Sequence, residues 1–268
     1  MIQAVFLFNN MKKYNNIIDV GIAHQKIIRD KKAITDKNNL FGNYWKNINK
    51  DLKKAIVKPI DLKSASKMVI EYEWLGCMPA VNFYAFGIYF DNICGGVVVF
   101  GQEYTENLGV WDKYDYTGKI ILLSRGVCLH WTPINTNSKL IMSSIKMLPK
   151  KYKIITATTD HLAGEIGTIY QACNFIYVGS MRESNPNVKS KKLDREAWLI
   201  NGKLIGSRNI RQKLGTQKMS EILKYYPDAK KVKQNSKHRY FYFTGSKKEK
   251  KYYLKQIKHL IKTYPKRK

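Results

Sequence analysis

Asn82 to Phe90 and Ile93 to Phe100 are two mostly apolar runs with only Asp91-Asn92 between. That spacing predicts an antiparallel hairpin closed by a two-residue turn. Gly95, Gly96 and Gly101 punctuate its second strand and mark a bulge or a close backbone approach. Lys119 to Leu129 predicts a further strand and Thr132 to Asn137 a polar connection. Ser138 to Leu148 predicts a helix, because Leu140, Ile141, Ile145 and Leu148 fall on one face. A strand at Lys153 to Thr158, a helix opened by Asp160 to Glu165 and ending near Cys173, and a strand at Phe175 to Val178 complete this stretch. Upstream, Lys58-Pro59-Ile60 marks a hinge before a helix at Leu62 to Tyr72, and residues 12–67 otherwise carry no clear period. Downstream, His238 to Phe243 alternates like a strand, and Lys247 to Tyr264 repeats Leu254, Ile257 and Ile261 at helical spacing among lysines. Strands alternating with crossover helices make an α/β fold with a mixed central sheet.

Composition adds a partner. The 268 residues are 44% hydrophobic, enough for a substantial core, yet 48 Lys and Arg against 20 Asp and Glu leave a formal charge of +28. Such a charge repels itself unless it meets a polyanion. Its distribution is uneven: residues 1–67 carry 14 basic and 5 acidic side chains, 68–200 carry 13 and 12, and 201–268 carry 21 and 3. A uniform lysine bias would not spare the middle. The division predicts a basic N-terminal extension (1–67), a near-neutral catalytic core (68–200) and a basic, aromatic-rich extension packed on it (201–268) that holds nucleic-acid phosphates. Arg208, Arg211, Lys213, Lys237, His238 and Arg239 are the expected DNA contacts. The apolar runs AVFLF and CGGVVVFG are too short to span a bilayer, and MIQAVFLFNN lacks the features of a secretory leader, so a cytoplasmic protein is expected. Cys77, Cys94, Cys128 and Cys173 are widely spaced and read as four free thiols.

The element order, closed by Gln171-Ala172-Cys173-Asn174-Phe175-Ile176-Tyr177-Val178-Gly179, resembles the GNAT-type acyltransferase superfamily. The resemblance implies two central strands that splay apart, an acyl group in the gap, and donor phosphates at the N-terminus of the following helix. That places the donor at Thr136, Asn137 and Ser138, although Pro133 to Ser138 lacks the glycine-rich turn that cradles the pyrophosphate of coenzyme A. Three blocks narrow the match: Glu73-Trp74-Leu75-Gly76, Ser124 to Pro133 (SRGVCLHWTP), and Asp160 to Asn174 (DHLAGEIGTIYQACN). With HRYFYF and the basic tail, residues 68–268 resemble the Mom family of phage DNA-modification proteins. The resemblance implies conversion of adenine in double-stranded DNA to an N6-carbamoylmethyl base that shields phage DNA from host restriction.

Adenine N6 is a poor nucleophile and is paired in a duplex, so the base must be extruded and a proton removed. Asp160, at a strand end, is expected to be the base and Tyr170 the acid, with Glu165 the rival base. Arg125 and Ser124, Cys128, His130, Gln171 and Asn174 are expected to line the substrate cleft. A metal site among Cys128, His130, Asp160 and Tyr170 is conceivable, but no pair of these has a metal-site spacing, so a metal ion is not predicted. The carbamoylmethyl product attaches a methylene to nitrogen, which acetyl transfer cannot do directly. The donor is therefore expected to be an activated acyl group, glycyl-tRNA or an acyl-CoA. Two other readings remain: a non-catalytic DNA-binding protein on the same core, and an N-acetyltransferase for a protein or small amine.

Overall fold

The structure, a computed structural model, describes residues 17–38, 45–103, 106, 109–181, 195–201, 203–234 and 237–268. The apolar run at residues 4–8 and the side chain of Arg208 lie outside what is described. Its centre is a seven-stranded mixed sheet in the order β2-β3-β4-β5-β6-β11-β7. The strands are β2 (Ile56–Pro59), β3 (Asn82–Phe90), β4 (Ile93–Gly101), β5 (Ile120–Cys128), β6 (Ile154–Thr159), β7 (Ile176–Ser180) and β11 (His238–Phe243). This is the mixed, helix-flanked sheet the sequence predicts. Between β7 and β11 lie β8 (Arg195–Ile200), β9 (Lys203–Gly206) and β10 (Lys230–Gln234), which form a separate sheet.

Among the described residues of the seven-stranded sheet only β5 and β6 pair in parallel, and this pair makes the site. Their ladder runs from Ile120↔Ile154 to Leu123↔Ala157 and stops. Beyond that point β5 stays on β4 as far as Gly96↔Cys128, while β6 stays on β11 through Thr158↔Arg239 and Thr159↔His238. The sheet therefore opens at the C-terminal ends of its two parallel strands, where α/β proteins gather ligands.

Helices cover both faces because the inner strands are apolar on both sides. On one face Leu140, Ile141 and Ile145 of α3 (Thr136–Met147) pack over Phe86, Val98, Phe100 and Leu123. On the other, Ala65 and Val69 of α2 (Leu62–Tyr72) meet Val97, Val99 and Val127. Asp61 caps α2, its carboxylate accepting from the amide of Ser64 at 2.8 Å. Further along that face, Trp111, Tyr116 and Phe241 join Tyr253 of α7 (Lys247–Gln256), whose N-terminus is closed by a Ser246–Glu249 capping box. Gly95 is the extra residue of a bulge, since Ile88 pairs with Gly96 and Tyr89 with Cys94. At Gly96 a side chain is excluded: a Cβ there would lie 2.5 Å from the Cys128 sulfur.

Three expectations change. The helix expected from Asp160 to Cys173 is broken into a 3-10 turn (His161–Ala163) and a short α4 (Thr168–Ala172). Gly164 at φ +70° and Gly167 at φ +75° interrupt it with left-handed backbone. The helix expected to reach Tyr264 ends at Gln256, followed by a turn at Lys258–Leu260. The charge boundary at 200/201 falls in the turn between β8 and β9, so net charge does not divide the chain as its chain path does. Residues 195–234, with α5 (Ser207–Leu214) and α6 (Met219–Tyr225), enclose their own core of Trp198, Ile200, Ile210, Ile222 and Ala229. The chain then returns, and β11 becomes an interior strand instead of an added layer. No counterpart in the sequence reading exists for β2, for the strands and helices of residues 195–234, for α1 (His24–Asn38), or for the β1 strand (Ile17–Ile18) and its partner β12 (Lys266–Arg267) near the C-terminus.

Gly167 offers a direct check on this framework. A Cβ there would approach the Tyr240 ring to 2.6 Å on a backbone at φ +75°. Gly167→Ala is expected to lower stability by about 2–4 kcal/mol, combining left-handed strain with overpacking. A urea midpoint unchanged from the parent would contradict this placement.

Candidate active site

A cavity of about 270 Å³ occupies the gap between β5 and β6. Ser124, Arg125 and Gly126 line it from β5, Thr158 and Thr159 from β6, and Asp160 and Gly164 to Tyr170 from the broken segment that follows. Glu73 and Trp74, just past α2, roof it. Its size lies at the small end for ligand sites and suits a base-sized group.

Glu165 is held by its surroundings in an unusual state. Its Oε1 accepts from the Trp74 indole N–H at 2.9 Å, and Gly164 and Gly167 turn the backbone on either side of it. Burial raises its carboxyl to about 7, the indole donor opposes the rise, and nearby Glu73 adds to it. A carboxyl raised toward neutrality in this way suits a general base.

Glu73 is also pushed up by burial, with the Arg125 guanidinium pulling the other way. Arg125 Nε lies 3.9 Å from Glu73 Oε2 and donates to the Cys77 carbonyl at 2.8 Å, while its Nη1 donates to the Ser124 carbonyl at 2.7 Å. The register shift that sets Val99 opposite Arg125 and Phe100 opposite Leu123 makes Ser124 a bulge, which aims Arg125 at the cleft. Ser124 itself donates to the Val99 carbonyl at 3.0 Å.

Tyr170 lines the cavity among Phe175 and Tyr240, with ring centroids at 5.4 and 5.5 Å. Burial, then Glu165 and Glu73, push its phenol up, so it stays protonated and offers a donor. Asp160 also lines the cavity, but its Oδ1 accepts from the Leu162 amide at 3.1 Å as the cap of the 3-10 turn.

The other expected residues separate. Gln171 Nε2 donates to the carbonyls of Ile166 and Pro265 at 3.0 and 3.1 Å, bracing the scaffold. Asn174 is exposed at φ +58° and ends α4. Cys128, buried with its thiol pushed up, borders a neighbouring cavity. His130 Nδ1 lies 3.5 Å from Asp36, its ring edge-on to Trp45 and its charge opposed by burial. Thr136 is buried and donates to the Pro133 carbonyl at 2.7 Å; Asn137 lines both cavities; Ser138 is half-buried on the first turn of α3. Among the described residues no three His, Cys, Asp or Glu side chains cluster as a metal site requires, and no helix is long and apolar enough to cross a membrane.

Of the expected DNA contacts, Arg211 and Lys213 are exposed on α5, and Lys237 lines the catalytic cavity. His238 accepts or donates through Nδ1 to the Tyr177 hydroxyl at 2.5 Å and stacks on His161 with centroids 3.5 Å apart. Arg239 is a correction. It is 1% exposed and its Nη2 donates to Glu103 at 3.0 Å, so it belongs to the core and not to an exposed basic surface.

Glu73 and Trp74 are the cleft residues that sequence reasoning left out of the site. A signal existed: a carboxylate just past a helix C-terminus opposes the helix dipole and calls for a cationic partner or a task.

The family model for the Mom protein family matches residues 54–266. The chain belongs to the Mom family. The match spans the whole central sheet, from just before β2, and includes the inserted module; α1 precedes it. A solved structure described as an IAA acetyltransferase from Bacillus cereus ATCC 14579 is similar at 9% identity and a TM-score of 0.36, covering 71% of this chain and 99% of that one. No curated protein sequence matches.

Proposed function

We propose that this Mom family member converts adenine in duplex DNA to its N6-carbamoylmethyl form, with an aminoacyl ester of glycine as donor, thereby protecting phage DNA from restriction. The observation that carries the reading is Glu165, a carboxyl poised at about 7 beside Trp74 in the opening of the sheet.

An adenine swung out of the duplex enters between the aromatic walls Trp74 and Tyr170. In the first step N6 attacks the glycyl carbonyl carbon. The N6–C bond forms, the ester C–O bond breaks, Glu165 takes the N6 proton and Tyr170 protonates the departing oxygen. This assignment prefers Glu165 to Asp160, whose carboxylate serves the turn at Leu162. The glycyl amine then attacks C6 through a five-membered spiro intermediate. Breaking the original C6–N bond leaves glycine's nitrogen on C6, its methylene next, and the former N6 as the terminal amide. Atoms balance without an oxidant or reductant.

Basic surface supports a duplex partner. Residues 195–234 carry 10 basic and 3 acidic side chains, and Lys237 and Arg267 from the C-terminal segment reach the cavity lining itself. Phosphate contacts of this kind position a duplex without reading its sequence. The test is nucleoside mass spectrometry on DNA from cells that express the chain and are fed glycine labelled at nitrogen and methylene. Both labels are expected in one modified adenine, with glycine nitrogen on C6. An unmodified adenine pool sinks the enzyme reading; a modified base lacking either label sinks the glycyl route.

A further inference from the structure

We propose that α1, the helix that precedes the family match, builds a phosphate-binding subsite for the carrier arm of the acyl donor, through Lys26 and Arg29. This rests on the donor reading above and goes beyond it by placing the donor's anionic group.

A second cavity of about 230 Å³ adjoins the catalytic one and shares Gln25, Gly126 and Asn137 with it. Lys26 and Arg29 line it, and no acidic residue does. Cys128, also in its wall, has its thiol pushed up by burial, so it adds no opposing charge at neutral pH. The cavity therefore presents two cations to whatever fills it.

The floor supplies donors of a different kind. At the start of α3 the Thr136 amide donates to Pro133 and the Lys139 amide to Asn135. Asn137, whose backbone N–H is one of the first-turn donors a helix leaves over, lines this cavity. Two cations beside the first turn of a helix match a phosphate ester in charge. A ligand reaching from this cavity to Glu165 would carry its phosphate at α1 and its acyl carbon beneath Trp74. The turn at Pro133 to Ser138 has no glycine-rich cradle, and side chains from α1 take that place.

Helix α1 is fixed well enough for the task. Gln25 Nε2 donates to the Tyr72 carbonyl at 2.9 Å, and its Oε1 accepts from the Trp74 amide at 3.0 Å. Arg29 Nη2 donates to the His130 carbonyl at 3.1 Å. Both tethers land on the two loops that frame the cleft, so α1 sits between them with Lys26 on the cavity side.

The phosphate has two sources, a coenzyme A thioester or the 3′ end of a charged tRNA. Calorimetric titration of the full chain with coenzyme A, and separately with the ribotrinucleotide CCA, distinguishes them. One probe is expected to bind, and Lys26→Ala/Arg29→Ala to weaken it at least tenfold. Lys146→Ala/Lys150→Ala, exposed near the far end of α3, is expected to leave it unchanged. Lys26→Ala alone keeps the Arg29 tether and is expected to weaken binding at least threefold, which covers misfolding of the double variant. Glu165→Gln should bind the probe like the parent, separating failure of the subsite from failure of the chemistry. Binding of neither probe, undiminished binding by both Lys26 variants, or an equal loss in the Lys146/Lys150 control overturns the subsite while leaving adenine modification standing.

Discussion

Glu165→Gln is expected to reduce adenine modification by about 10²–10⁴-fold, the usual contribution of a positioned general base. The amide keeps the acceptor oxygen for the Trp74 N–H but cannot take a proton. In the parent, the rate of a single turnover should rise tenfold per pH unit on the acid side and level off near pH 7, where the buried carboxyl ionises. Trp74→Phe removes the donor that stabilises the carboxylate, so the acid limb should move to higher pH. A pH-independent rate, or a Gln variant keeping more than a tenth of the parent's activity, would remove Glu165 from the chemistry.

The same carboxyl sets a stability cost with a definite sign. Its folded value of about 7 lies above an ordinary value of 4.5. Below pH 4.5 both folded and unfolded chains hold the proton. Between these values only the unfolded chain ionises, so stability declines as pH rises, and above pH 7 the loss is complete. The difference corresponds to ~3 kcal/mol. Glu165→Gln should therefore melt several degrees above the parent at pH 8, with the gap closing toward pH 5. More stability with less activity is the signature of a group strained for function.

What could be read from the sequence follows from how each element is buried. The hairpin β3–β4 was legible because Asp91-Asn92 closes it and apolar runs fill both strands. Helix α2 was legible because Asp61 caps it and Ala65 and Val69 share a face. Helix α1 was not, since it docks through Gln25 and Arg29 while Ile27 and Ile34 stay exposed, leaving no apolar stripe to find. The break between Asp160 and Cys173 was hidden because glycine does not spoil a helical period by itself; only the positive φ at Gly164 and Gly167 does. That break brings Glu165 to the cleft beside Trp74, while Asp160, which also lines it, caps the 3-10 turn. Arg239 was misread for a similar reason. Beside Lys237 and His238 it looks like a surface cation, but β11 is covered on both faces, and alternation there no longer separates inside from outside.

Arg239→Met is expected to destabilise the protein by about 3–5 kcal/mol, because it strands Glu103 as an unpaired charge in the core. The pair is almost wholly shielded from water: Arg239 and Glu103 are each 1% exposed. Glu103 Oε2 also accepts from the Trp111 indole at 2.7 Å, and the Arg239 guanidinium lies 4.5 Å from the centre of that ring. Charge, hydrogen bond and cation–π contact thus join the C-terminal strand to the loop after β4. Adding Glu103→Gln should restore most of the loss, since the amide oxygen still accepts from Trp111 and no charge is left behind. Were Arg239 a phosphate contact, the double variant would instead lose one unit from the salt dependence of DNA binding and show no recovery in urea. Recovery of stability with an unchanged salt slope identifies the arginine as the pin that seats β11 beside β6, and with it the edge of the opening in which Glu165 works.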